Sequence, residues 1–240
     1  VLEVDERMTA TGEVHLPLNE DHVVTACGRL LDEGVEAIAI CFLHSYANPD
    51  HECRAADIVQ RALPNIPVSI SSDILPEYRE FERFSTTALN AYVGPKVSQY
   101  LGRLSDDLGK NGISAPLRIM GSNGGTWSAA AMSAEPVNAM LSGPAGGVTA
   151  SIGIAKLLEL PNIITYDMGG TSTDACLIRD YDYNMTTEGQ VGMWPNRAPQ
   201  IEIKTVGAGG GSIAYMDPGK FLNVGPRSAG AAPGPACYGK

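Results

Sequence analysis

Two carboxylates, Asp167 and Asp174, enclose the run Met168-Gly169-Gly170-Thr171-Ser172-Thr173. An apolar stretch, Ile163-Ile164-Thr165-Tyr166, leads in, and another, Ala175-Cys176-Leu177-Ile178, leads out. Such a pattern reads as strand, tight turn, strand. Glycine at 169 and 170 permits a turn with positive φ and leaves no Cβ in the way of a bulky anion. The N–H groups of the turn and the hydroxyls of Thr171, Ser172 and Thr173 then face phosphate oxygens. Asp167, at the strand end, is placed to hold Mg²⁺ through water or to orient an attacking water. The competing reading of the same residues is an ordinary hairpin with a glycine turn.

A second glycine run follows further on. Ile201 to Val206 alternates apolar and polar, as a half-buried strand does, and opens into Gly207-Ala208-Gly209-Gly210-Gly211-Ser212. On paper this matches a dinucleotide G-x-G-x-x-G loop. That fingerprint needs a helix after the glycines, whereas Ser212 to Met216 is short and ends in Asp217-Pro218-Gly219, a turn. A bare loop facing phosphate or substrate across a cleft fits better, with Gly209, Gly210, Gly211 and Ser212 as its contacts; a purely structural bulge is the alternative. Another strand, Leu117 to Met120, opens into Gly121-Ser122-Asn123-Gly124-Gly125-Thr126. The carboxyl edge of a sheet is where α/β proteins place ligands, so Asn123 is a candidate substrate or interdomain contact. Arg227 is a candidate anion partner. Cys41, His44, His51 and Cys53 lie close in sequence, but their spacing is not a usual zinc pattern. A thiol nucleophile at Cys176 or Cys237 is a further reading; Cys176 alternates into a strand, and no nearby histidine follows it.

The elements that must position these residues follow from periodicity and caps. A helix is expected from Asn19 to Glu33 with Gly34 behind it, then a buried strand from Val35 to Phe42. Asn48-Pro49 starts a helix running to Leu63, and Pro67 to Ser71 is a short strand. Helix and strand in alternation imply a parallel sheet. Glu77 to Val93 reads as an amphipathic helix with Tyr78, Phe81, Ser85 and Leu89 near one face and the charges through Arg83 solvated, the rival being a subunit or substrate contact. Gly94-Pro95 breaks it, and a second helix runs to about Leu108. Around Pro144 to Gly153 the small residues cost helix propensity, about 1 kcal/mol per interior glycine, which close approach of two backbones would offset. Tyr181 to Gln190 reads as a strand, Met193 to Pro199 as a loop, and Gly225 to Gly239 as a tail too rich in breakers for regular structure.

The 240 residues suffice for one large or two ordinary domains, and 44% hydrophobic content is ordinary for a globular protein. A net charge of -10 argues against nucleic acid and an anionic membrane surface. The longest apolar run, near Ala37 to Leu43, is too short to span a bilayer. Five cysteines without a framework, and no signal-peptide pattern, suggest reduced thiols and a cytoplasmic setting.

The central segment resembles the second phosphate-binding hairpin of the actin–hexokinase–Hsp70 ATPase superfamily, in the wording of its hydantoinase A/5-oxoprolinase branch. Thr205 to Ala214, Gly225 to Gly230, Pro233 to Gly239 and Pro76 to Arg83 are similar to that branch too. The resemblance implies an α/β, actin-like ATPase (ribonuclease H-like) two-lobe fold, present here as a fragment. Residues 1–136 would be part of the first lobe without its first strands. Residues 137–240 would be a crossover helix that permits hinge motion and the start of a nucleotide-binding lobe. The first phosphate hairpin and the adenine-contacting segment are not among these residues. In the family an acid usually precedes the proline at Pro233; Ala232 stands there and cannot bind a cation. By resemblance the cofactors are ATP and Mg²⁺, with Asp167 and Asp174 serving Mg²⁺ or water and Gly169 to Thr173 holding phosphate. The implied activity is ring-opening hydrolysis of a hydantoin or 5-oxoproline. The alternatives are a subunit of an ATP-dependent ketone carboxylase and a non-catalytic nucleotide-binding assembly subunit. The implied partner is a hydantoinase B-type subunit or domain in a hetero-oligomer.

Overall fold

The computed structural model describes residues 1–239; Lys240, the last residue of the breaker-rich tail, lies outside the described residues. In chain order the regular elements begin with β1 (Arg7–Met8), β2 (Val14–Leu16), α1 (Glu20–Asp32), β3 (Ile38–Ile40), α2 (Asp50–Ala62) and β4 (Val68–Ile70). Then come α3 (Ser71–Ile74), α4 (Glu80–Lys110), β5 (Arg118–Met120), β6 (Thr126–Ser128), α5 (Ala129–Ala134) and α6 (Ser142–Leu157). Strands follow: β7 (Ile163–Met168), β8 (Thr173–Arg179), β9 (Asp182–Tyr183), β10 (Met185–Thr186), β11 (Gly189–Val191) and β12 (Trp194–Asn196). After them come β13 (Gln200–Ile201), β14 (Lys204–Val206), β15 (Ser212–Met216) and β16 (Leu222–Ser228), and then a 3₁₀ turn, Ala236–Tyr238. The chain divides into two compact units. One comprises Val1–Ile119, Thr126–Met140 and Thr187–Pro199, the other Met120–Gly125, Leu141–Thr186 and the described residues from Gln200 onward.

In the first unit the local signals act as expected. Asn19 caps α1, its side chain accepting from His22 N at 3.2 Å. Asn48 Oδ1 accepts from Asp50 N at the start of α2. β3 and β4 pair in parallel, Ile38 opposite Val68 and Ile40 opposite Ile70. Val23, Cys27, Ala55, Ile58 and Val59 of α1 and α2 join Ile38, Ile40 and Ile70 in one core.

Helix α4 departs from expectation twice. It runs unbroken through Pro95. Proline removes one intrahelical bond and costs about 3 kcal/mol or more in a helix interior. The neighbouring turn offsets this: Asn90 Oδ1 accepts from Val137 N at 3.1 Å, and Gly94 lies against the Pro136 ring. Its buried face is also polar. Arg83, Ser85, Thr86, Thr87 and Asn90 are buried, whereas Tyr78, just before the helix, and Phe81 are exposed. Arg83, expected on a solvated face, is 1% exposed. Its Nε donates to Ser71 Oγ, and its terminal nitrogens to the carbonyls of Glu77 and Phe42. The rings of Tyr46 and Phe84 lie 5.4 and 5.2 Å from its guanidinium carbon. Glu52, 0% exposed, accepts from Phe42 N, Ser71 Oγ and Ser72 N. A buried charge is tolerated when hydrogen-bonded and compensated in this way.

In the second unit β14, β8 and β7 form an antiparallel sheet in that order, with β9 on β8. Helix α6 covers one face through Ala145, Val148 and Ile152, packed on Cys176, Ile178 and Ile201. The expected close backbone approach along α6 is absent among the described residues: a Cβ at Gly143, Gly147 or Gly153 would meet nothing. The stretch from Tyr181 to Gln190 is not one strand but three short pieces, β9, β10 and β11, and the Met193–Pro199 loop contains β12. The tail also begins in regular structure, since β16 continues through Gly225-Pro226 to Ser228, paired with β15. Among the described residues no helix is long and apolar enough to cross a membrane.

Candidate functional site

The β7–β8 hairpin places both carboxylates at one level, because Asp167 and Asp174 are directly opposed across the ladder. Side chains alternate along a strand, so Asp167 shares a face with Thr165 and Ile163, the face that α6 covers. Asp167 and Asp174 line a cavity of about 220 Å³ with Pro144, Gly147 and Ser151 of α6. Thr205, opposite Asp174 on β14, donates its hydroxyl to Asp174 Oδ1 at 2.5 Å. Its role was not anticipated, although its spacing from Ile203 puts both on the same face.

The glycine turn opens onto a different cavity. Gly169, Gly170 and Thr171 line a space of about 600 Å³ with Gly210, Gly211 and Ser228. The hairpin is closed by a bond from Gly169 N to Ser172 O at 2.9 Å. Among the described residues the N–H groups of Gly170, Thr171 and Ser172 have no hydrogen-bond acceptor. Consecutive unpaired N–H groups in a turn form a nest that suits an anion. Of the two reasons for glycine that the sequence suggested, positive φ does not hold. Neither Gly169 nor Gly170 has a positive φ. A Cβ on Gly170 would meet nothing in the protein, and one on Gly169 would make only an ordinary contact with Ser172 O. Neither backbone conformation nor internal packing therefore requires glycine at 170; the space its missing side chain leaves is open.

The remaining candidates separate. Thr171 is exposed, but Thr173 is buried and spends its hydroxyl on Ala208 O at 2.6 Å. The Gly209–Ser212 run lies against the turn: Gly210 N donates to Gly169 O and Gly211 N to Gly170 O, while Gly209 N donates to Ser212 Oγ. Ser212 begins a strand, which agrees with rejecting the dinucleotide fingerprint. Asn123 Oδ1 accepts from Gly125 N at 3.0 Å, holding its own loop, and Asn123 O accepts from the Tyr183 hydroxyl at 3.1 Å. Arg227 is exposed on β16. Among the described residues no group of three or more potential ligands gathers as a metal site. Burial pushes the Cys41 thiol up to about 12, and burial also raises Cys176, so neither is poised as a thiolate.

Comparison with known proteins places this geometry. The hydantoinase/oxoprolinase family pattern matches residues 83–240, and the hydantoinase/oxoprolinase N-terminal region matches residues 1–63. Caprolactamase subunit alpha of Pseudomonas jessenii is 40% identical over 234 residues, covering 98% of this chain and 34% of the relative. The crystal structure of the ATP-dependent caprolactamase from that organism superposes with a TM-score of 0.87 at 39% identity, over 99% of this chain and 34% of that one. The nucleotide-free structure of acetone carboxylase gives 0.80 at 34% identity, over 95% and 32%. The 5-oxoprolinase 1 of Arabidopsis thaliana is 40% identical over 222 residues, 88% of this chain and 16% of its own. The chain thus spans about a third or less of the length of these relatives. Its fold is an α/β fragment of the actin-like ATPase type.

Proposed function

Because the chain belongs to the hydantoinase/oxoprolinase family, we propose that it carries the phosphate-binding part of an ATP-dependent, ring-opening hydrolase of cyclic amides. The observation that carries the reading is that Gly170 and Thr171, whose N–H groups have no acceptor among the described residues, line an open cavity. The residues fit a terminal phosphate. The nest offers donors, and the absent Cβ at Gly170 leaves room for an oxygen to approach the backbone. The carboxylates of Asp167 and Asp174 fit a hard cation such as Mg²⁺, held directly or through water. When bound, the nucleotide supplies a phosphoryl group that makes the amide oxygen a leaving group, so that water can add to an otherwise unreactive ring carbon.

The chain's own part is positioning and charge compensation. The N–H groups of Gly170 and Thr171 would compensate charge on a phosphate held there without reorganising. Thr205 fixes the rotamer of Asp174 through its hydrogen bond. Asp167 lies on the strand that leads into the turn, three residues before Gly170, so one hairpin carries both the carboxylate of the smaller cavity and the N–H groups of the larger one. The relatives named as subunits support a partner subunit, and we assign it to the hydantoinase B type. A second reading, phosphorylation of a ketone-derived enolate oxygen, is favoured by the resemblance to acetone carboxylase; this hairpin treats the two oxygens alike.

Asp167→Asn in the full-length protein with its partner tests the assignment. Cyclic-amide-dependent ATP turnover should fall at least about 100-fold, the scale of losing one electrostatic catalytic contact. Unchanged turnover would reduce the unit to a non-catalytic binding part. Comparing ATPase stimulation by a lactam and by a ketone separates the two substrate readings.

A further inference from the structure

We infer that the Gly209–Ser212 loop, although part of it lines the same cavity, donates no glycine N–H to the bound anion and instead fixes the peptide planes of the Gly169–Thr171 turn, making Gly209, Gly211, Ser212 and Ser228 positioning residues. The inference rests on the phosphate reading of the turn and adds to it.

A glycine-glycine turn is easily deformed. With no Cβ on either side, a peptide plane can rotate and exchange its N–H for its C=O on the cavity side. That exchange would aim a carbonyl dipole at an anion. The structure blocks it at two successive planes. Gly210 N donates to Gly169 O at 2.9 Å, and Gly211 N donates to Gly170 O at 2.8 Å. In a trans peptide the N–H points opposite to the C=O. Fixing Gly169 O therefore turns the Gly170 N–H away from its donor, and fixing Gly170 O does the same for Thr171. These are N–H groups of the nest that have no acceptor.

The loop is itself held. Gly209 N donates to Ser212 Oγ at 2.7 Å, and Ser212 N donates to Gly209 O at 3.0 Å. Behind it, Ala229 N donates to Gly211 O at 2.8 Å, and the Ser228 hydroxyl donates to the same oxygen at 3.2 Å while accepting from Gly230 N. Turn, loop and the end of β16 are thus stacked by main-chain bonds. Only glycine allows the spacing. A Cβ at Gly209 would stand 2.5 Å from Gly169 O and 2.8 Å from Thr171 N; one at Gly211 would stand 2.9 Å from Ser228 Oγ and 3.0 Å from Gly170 O. All three N–H groups of Gly209, Gly210 and Gly211 are committed to protein acceptors, so they are not available to a phosphate.

The test uses the full-length protein with its partner subunit and compares Gly170→Ala, Gly209→Ala, Gly211→Ala and Ser228→Ala. KM for Mg-ATP, kcat, KM for the cyclic amide and melting temperature are measured for each. Gly209→Ala and Gly211→Ala should raise KM for Mg-ATP about tenfold or more, leaving the cyclic-amide KM unchanged. Ser228→Ala should raise it about threefold, with recovery in Ser228→Thr. A general loss of folding would instead lower kcat and melting temperature together without a selective change in nucleotide KM, and that outcome overturns the inference. So does wild-type nucleotide KM in Gly209→Ala and Gly211→Ala while Gly170→Ala is impaired. If Gly170→Ala also binds Mg-ATP normally, the phosphate reading of the turn fails first. Should Gly209→Ala or Gly211→Ala be insoluble, Ser228→Ala and its threonine rescue decide the matter: no change in nucleotide KM refutes the backing role.

Discussion

Replacing Glu52 by glutamine should destabilise the first unit far more than an ordinary surface change. The Glu52 carboxylate receives Phe42 N at 2.8 Å and Ser71 Oγ at 2.6 Å on one oxygen, and Ser72 N at 2.8 Å on the other. Glutamine keeps the shape but has one acceptor oxygen, and its amide nitrogen must face a donor. At least one buried N–H or O–H is then unsatisfied, about 1–3 kcal/mol. The substitution also removes the negative charge nearest in the network to Arg83, joined to it through Ser71 Oγ. Breaking a buried pair by removing one partner costs about 3–5 kcal/mol. These contributions overlap, so we expect about 3 kcal/mol, a large share of the roughly 5–15 kcal/mol that holds a domain together. Both tryptophans, Trp127 and Trp194, belong to the first unit, so urea unfolding followed by their fluorescence reports on it. Arg83→Met with Glu52→Gln should lose less than the two single losses added together, because each single change strands the other charge. A loss below about 1 kcal/mol in Glu52→Gln would refute the reasoning, since the Phe42 and Glu77 carbonyls and the two rings would then suffice for Arg83.

Other consequences are simpler to check. The Cys41 thiol, ordinarily near 9 and pushed up to about 12 by burial, keeps its proton in the folded state over a range where the unfolded chain ionises. Its contribution is complete below pH 9 and is lost as pH rises toward 12, by up to about 1.4 kcal/mol per pH unit. Stability curves of the wild type and Cys41→Ala should therefore converge at alkaline pH, and curves that stay parallel would contradict this. Gly124→Ala should destabilise the second unit by about 1–3 kcal/mol, because φ is +78° and the new methyl would lie 2.6 Å from the Tyr183 hydroxyl; thermal unfolding measures it. Tyr183→Phe should cost about 1 kcal/mol through the lost bond to Asn123 O. Thr205→Val frees Asp174 to rotate and should lower kcat in the full-length enzyme more than it raises the Mg-ATP KM.

Local chemistry alone decided much of this protein. The cap at Asn19, the Asn48-Pro49 start and the β7–β8 hairpin all follow from side chains acting on their own backbone within a few residues. The opposition of Asp167 and Asp174 follows as well, once the turn length fixes the register. Tertiary structure decided what depends on groups distant in sequence. Arg83 lies in a run of charges that reads as solvated, and only the carbonyls of Phe42 and Glu77, Ser71 and two rings make burial tolerable. Pro95 reads as a break, yet contacts from Pro136 and Val137 carry the helix across it. The two glycine runs read alike in sequence. The fold leaves the N–H groups of Gly170 and Thr171 in one without an acceptor among the described residues and spends those of the other on the Gly169 and Gly170 carbonyls and on Ser212 Oγ, because a hydrogen-bond donor's partner is set by what the chain folds against it.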